Sequence, residues 1–139
     1  MIKDSQFKSL YHYWEGYSVF SRGGEVEKGY QPDFTLKRNN AYIILESENA
    51  TSRKHLLGDM IKAAHFLQGD KDGFLVIVMT PKKNTTLNQI SKHLKMYFTW
   101  IQDKTNLSKV YIIDSKDYLK NDLPIPISSE DFLMKAQIV

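Results

Sequence analysis

The chain of 139 residues has no cysteine, which excludes a disulfide framework and a thiolate metal site and suits a reducing compartment. A cytoplasmic protein is therefore expected. Long apolar runs are missing too. The longest, Phe74 to Met79, is far short of the ~20 residues needed to cross a bilayer. No charged and then apolar leader opens the sequence, so neither a signal peptide nor a membrane span is expected. No Gly-rich phosphate loop precedes a helix, and no Gly-x-Ser-x-Gly elbow or cysteine nucleophile is present, which argues against nucleotide hydrolysis and acyl transfer. The four histidines, His12, His55, His65 and His93, lack the pair spacing of a zinc site. Internal repeats, low-complexity tracts and interdomain linkers are also absent.

What is present fits one domain over residues 1–139, with a hydrophobic content of 42% that suffices for a single core. Phe7, Leu10, Tyr11, Trp14 and Tyr17 recur at helical steps and predict a first helix over Gln6 to Phe20, ended before Gly23-Gly24. Glu25 to Leu36 reads as one or two strands bent near Gly29, and Lys37 to Asn40 as a hairpin turn into a strand from Ala41 to Glu48. Thr51 or Ser52 can cap a helix over Arg53 to Gln68 that buries Leu56, Leu57, Met60, Ile61, Ala64 and Leu67. Phe74 to Thr80 is apolar on both faces, as a central strand covered on both sides would be.

Leu87, Ile90, Leu94, Tyr97, Phe98 and Ile101 predict a long helix ending near Lys104, followed by a buried strand over Lys109 to Asp114. Pro124 and Pro126 forbid regular structure locally, and Ser128 to Asp131 can cap a short helix over Phe132 and Met134. This order describes an α/β domain, a mixed central sheet flanked by helices.

Three carboxylates stand out against that pattern. The two-residue period of the strand Ala41 to Glu48 puts Tyr42, Ile44, Glu46 and Glu48 on one face and Ile43, Leu45 and Ser47 on the other. Asp33 lies on the preceding strand. A carboxylate ending an apolar face is costly unless it is paired, hydrogen-bonded or bound to a cation, so a hard divalent ion, magnesium above all, is the economical explanation.

The formal net charge of +3 is too small by itself to declare a nucleic-acid partner, but its distribution says more. From Pro81 to Lys109, Lys82, Lys83, Lys92, Lys95, Lys104 and Lys109 face one acid, Asp103. A basic flank beside an acidic centre suits a phosphodiester-cutting enzyme; a solvated lysine-rich helix accounts for the same charges. Of the aromatics near these lysines, Tyr97 and Phe98 fit the core stripe, leaving Trp100 as a candidate for base stacking.

Pro32-Asp33 and Glu46-Ser47-Glu48, on adjoining strands followed by a helix, resemble the motif of the PD-(D/E)XK nuclease superfamily, and the element order over about residues 5 to 115 resembles its restriction endonuclease-like core. The superfamily usually carries lysine where this chain has Glu48; the Glu-x-Glu form is similar to that of some restriction endonucleases. The resemblance implies a metal-dependent endonuclease that hydrolyses DNA, with Asp33, Glu46 and the Ser47 carbonyl on Mg2+ or Mn2+, Glu48 orienting or deprotonating water, and Lys82, Lys83, Lys92 and Lys95 on the nucleic acid. It also allows the missing lysine to come from the next helix, where Lys62 shares a face with His55 and Asp59; a solvated face with an Asp59–Lys62 ion pair explains that spacing equally. Glu15 on the first helix is a candidate further acid. A homodimer or partner subunit would supply a second site for cutting both strands. The alternative is an inactive nuclease-fold subunit that binds DNA or serves assembly, with Glu48 marking lost catalysis.

Overall fold

The computed structural model describes residues 2–49 and 52–139. Thr51, one of the two candidate caps, lies outside them. Six strands form one mixed sheet in the order β1 (Ser18–Ser21), β2 (Phe34–Arg38), β3 (Ala41–Glu48), β4 (Asp72–Met79), β5 (Leu107–Asp114) and β8 (Gln137–Ile138). β1, β2 and β3 pair antiparallel; β3, β4 and β5 pair parallel through helices α2 (Arg53–Phe66) and α3 (Leu87–Gln102). The α/β class and the mixed sheet are thus as expected from the sequence. Among the described residues no helix is long and apolar enough to cross a membrane.

Period-two alternation sorts the strand residues into two cores. Tyr42, Ile44, Leu75, Ile77 and Met79 pack with Leu56 and Met60 of α2 and Ile90, Leu94 and Phe98 of α3. Ile43, Leu45, Val76 and Val78 pack on the other face with Phe7, Phe34, Tyr118 and Phe132, carried by β2, the short helices α1 (Asp4–Ser9), α4 (Ser115–Tyr118) and α5 (Glu130–Lys135), and the segments between them. β4 is central and apolar on both sides because both sides are covered. It lies so close to β3 that a Cβ on Gly73 would fall 2.0 Å from the Tyr42 carbonyl oxygen.

Several expectations need correction. The helix over Gln6 to Phe20 is only α1: it ends at Ser9, and residues 18–21 form the edge strand β1. The reason is a buried histidine. His12 Nε2 donates to the Phe7 carbonyl at 2.8 Å, taking the acceptor that a continuing helix would use, while its Nδ1 lies 2.6 Å from the Tyr118 hydroxyl. Leu10, Trp14 and Tyr17 still pack on the core, so the apolar spacing records contacts without a helix. Residues 25–33 form no named strand, and Val26 to Tyr30 close a tight turn. Val26 N–H donates to the Tyr30 carbonyl at 3.0 Å, and Tyr30 N–H to that of Glu27 at 2.9 Å. Gly29, at φ +83°, makes the reversal. In the hairpin, Lys37 and Arg38 belong to β2, and Asn39-Asn40 alone makes the turn, with Asn39 at φ 53°.

Ser52 sits at the N-cap of α2 but its side chain makes no capping bond, whereas Thr86 and Gln89 form a reciprocal capping box on α3. Ile61, Tyr97 and Met134 are not core residues; they are 42%, 39% and 83% exposed. Ile61 and Tyr97 lie at the margins of their apolar stripes, and α5 is so short that Phe132 alone is buried. Pro124 lies in a two-residue ladder, β7 (Leu123–Pro124) with β6 (Leu119–Lys120); β8 was not foreseen.

Candidate functional site

The antiparallel ladder between β2 and β3 ends at Phe34 opposite Leu45. One step beyond, side chains replace the backbone pairing. Asp33 N–H donates to Glu46 Oε1 at 2.9 Å, and Ser47 N–H donates to Asp33 Oδ2 at 2.8 Å. This reciprocal clamp sets both carboxylates where the strand ends open into a cleft of about 540 Å3. Asp33, Glu46, Ser47 and Glu48 all line it, so the motif residues share one cleft, and Lys62 and His55 line its α2 side.

Two groups not assigned from sequence join them. Asp59, from α2, lines the cleft with its carboxyl facing those of Glu48, Glu46 and Asp33. Among the described residues no ion pair joins it to Lys62. Tyr30, 3% exposed, lines the same cleft. The Tyr30 hydroxyl and Asp59 Oδ2 are buried without a hydrogen-bond partner, a condition that costs about 1–3 kcal/mol per group. The His55, Asp59 and Lys62 spacing was the signal that could have found Asp59; nothing in the sequence singles out Tyr30.

Electrostatics follows from crowding acids in a partly closed space. Burial, the largest cause, with the charges of Asp33 and Glu48 behind it, lifts the Glu46 carboxyl from 4.5 to about 8 against the opposing Asp33 N–H bond. Burial, then the neighbouring Glu48 carboxyl, then the charges of Glu46 and Asp33 lift Asp59 from 3.8 to about 10. Asp33 is raised by burial as well, opposed by the Ser47 N–H bond and by Lys8, whose Nζ is 3.9 Å from Oδ1. Burial and the surrounding carboxylates keep the Tyr30 phenol protonated. As these side chains stand, no three acids or histidines among the described residues form a group that could hold an ion.

Other sequence candidates fall outside the cleft. Glu15 is exposed beyond the end of α1 and does not line it; Asp4, on α1 itself, does. Lys82 and Lys83 are exposed in the connection leaving β4. That connection starts at the acid end: Met79 pairs with Glu48, and Thr80 N–H donates to the Glu48 carbonyl at 3.0 Å. Arg53 and Lys54, exposed at the start of α2, extend the same rim and were not foreseen. Lys92 and Lys95 are exposed on α3, whose axis leads away from this end by about 1.5 Å per residue. Trp100 is 62% exposed, with the Lys104 ammonium 5.5 Å from its ring centroid. No protein-family model, curated protein or solved structure matches the chain.

Proposed function

We propose that the chain is a metal-dependent endonuclease of the PD-(D/E)XK type, built on a restriction endonuclease-like core and acting on DNA phosphodiester bonds. The observation that carries this reading is the gathering of Asp33, Glu46, Glu48 and Asp59 in one cleft where β3 ends. Such a set is unfavourable in isolation, because burial and like charge force Glu46 and Asp59 to keep protons well above the ordinary carboxylate range. The donor chemistry fits a hard cation: Asp33, Glu46, Glu48 and Asp59 offer carboxylate oxygens to the cleft, and two buried oxygens lack partners.

Asp33, Glu46 and the Ser47 carbonyl would hold Mg2+ or Mn2+. When bound, such an ion lowers the pKa of a ligated water and offsets charge on the scissile phosphate. Glu48, one step along β3 from Ser47, is placed to orient a water and accept its proton. Lys62 supplies an ammonium on the α2 wall for a phosphate oxygen. Lys82 and Lys83 neutralise phosphates at the acid end, with Lys92 and Lys95 farther along α3. Cutting both strands would call for a second copy or a partner subunit.

A second reading has its own support: the acids do not form an ion-holding group as their side chains stand. On that reading the chain is an inactive nuclease-fold subunit that binds DNA or serves assembly. Incubation with linear, nicked, branched and single-stranded DNA in MgCl2 or MnCl2 separates the two. Cleavage by the wild type that disappears in Asp33→Asn and Glu46→Gln supports the enzyme. Wild-type rates in either variant, or DNA binding with no cleavage under any condition, overturn it.

A further inference from the structure

Helix α2 contributes more to the cleft than a basic wall. It carries Asp59 one turn after His55 and nearly one turn before Lys62, a spacing that on a solvated helix would give an Asp59–Lys62 ion pair. Instead Asp59 lines the cleft with the strand acids, its Oδ2 buried and unpartnered. The Tyr30 hydroxyl, from a side chain only 3% exposed, is unpartnered in the same cleft. An acid held against other acids and a phenol with nothing to bond are complementary to one kind of occupant. A hydrated divalent ion offers charge to the carboxylate and water to the phenol.

We infer that Asp59 is a cation ligand supplied by α2 and that the Tyr30 hydroxyl positions a water on that cation, so that divalent binding ties α2 to the β2–β3 edge. The inference rests on the cation-binding reading of the cleft and adds two residues that the strand motif does not contain. Its consequence is mechanical as well as chemical: Lys62 rides on the helix that Asp59 anchors, so an ion bound by Asp59 also fixes where Lys62 stands.

The test is titration of MgCl2 or MnCl2 into the full chain by calorimetry without nucleic acid, with amide exchange of α2 as a second readout. Asp59→Asn keeps the shape of the neutral acid, and Tyr30→Phe removes one oxygen. Both should melt no lower than the wild type in EDTA. Asp59→Asn should weaken divalent binding roughly tenfold or more and abolish the ion-induced protection of α2; Tyr30→Phe should weaken binding about threefold or more. Wild-type affinity in Asp59→Asn alongside loss of binding in Glu46→Gln overturns the inference and leaves the strand site standing. Equal binding by wild type and Glu46→Gln, or no binding by the wild type, overturns the cation reading and this inference with it.

Discussion

Replacing Glu46 by glutamine should make the metal-free protein more stable and remove its response to magnesium. Burial, reinforced by Asp33 and Glu48, holds the Glu46 carboxyl at about 8 in place of 4.5. The folded chain therefore keeps a proton that the unfolded chain has released. The stability tied to that proton is complete below pH 4.5 and is lost as pH rises through about 8. At about 1.4 kcal/mol per pH unit, the wild type gives up about 3 kcal/mol by pH 7.

Glutamine is neutral in both states, keeps an oxygen for the Asp33 N–H now 2.9 Å away, and adds a donor among acceptors. At ~2–4 °C per kcal/mol for a domain of this size, Glu46→Gln should melt roughly 10 °C above the wild type in EDTA at pH 7. Near pH 5 the gap should nearly close. Magnesium at ~100 times its dissociation constant should add about 2.7 kcal/mol to the wild type and nothing to the variant. Thermal melts with EDTA and with MgCl2 at both pH values decide the matter. A variant that melts at or below the wild type in EDTA at pH 7, or that gains as much from magnesium, refutes the reasoning.

Divalent binding should release protons at pH 7 and tighten as pH rises, because Glu46 and Asp59 carry theirs up to about 8 and about 10; calorimetry in buffers of different ionisation heat tests this, and a pH-independent affinity contradicts it. His12, held at about 4 by burial despite the Phe7 carbonyl bond, contributes stability above pH 6.5 that is lost as pH falls toward 4, so the stability difference between wild type and His12→Phe should shrink over that range. Lys82→Ala with Lys83→Ala should reduce the log-log salt slope of duplex binding by about 1.8; an unchanged slope moves the contact to Arg53 and Lys54. In single-turnover cleavage Glu48→Ala should retain DNA binding and lose turnover if Glu48 handles the water, whereas a mild Glu48→Ala beside a damaging Lys62→Ala would give that part to the lysine; unimpaired rates in both exclude both assignments.

The parts of the fold legible in the sequence are those whose periodicity and burial have one solution. β3 alternates between two apolar cores from Tyr42 to Leu45 and carries that alternation on into Glu46, Ser47 and Glu48, so its bounds and faces follow from residues 41–48 alone. β4 is apolar from Phe74 to Met79 and has to be central. The first twenty residues failed because their fate depends on a distant partner: His12 leaves the helix to bond Phe7 and Tyr118, the latter 106 positions away, and local spacing carries no trace of that. The turn at Gly29 failed for a related reason, since Val26 and Tyr30 look like strand residues until their backbone closes on itself.

The site divides along the same line. Asp33 immediately precedes β2 and Glu46 lies on β3, so the pairing of those strands alone brings them together. Asp59 is on a helix, at the flank of the stripe that buries Leu56, Met60 and Ala63, where an acid ordinarily reaches water. What sends it into the cleft is the rotation of α2, set by burying Leu56, Met60, Ala63 and Leu67. Asp59 and Ile61 are two residues and so about 200° apart around the helix. The rotation that leaves Ile61 42% exposed turns Asp59 toward β3. Core packing of α2 therefore fixes the chemistry at the flank of its buried stripe, and the exposed Ile61 and the half-buried Asp59, each anomalous alone, have one cause.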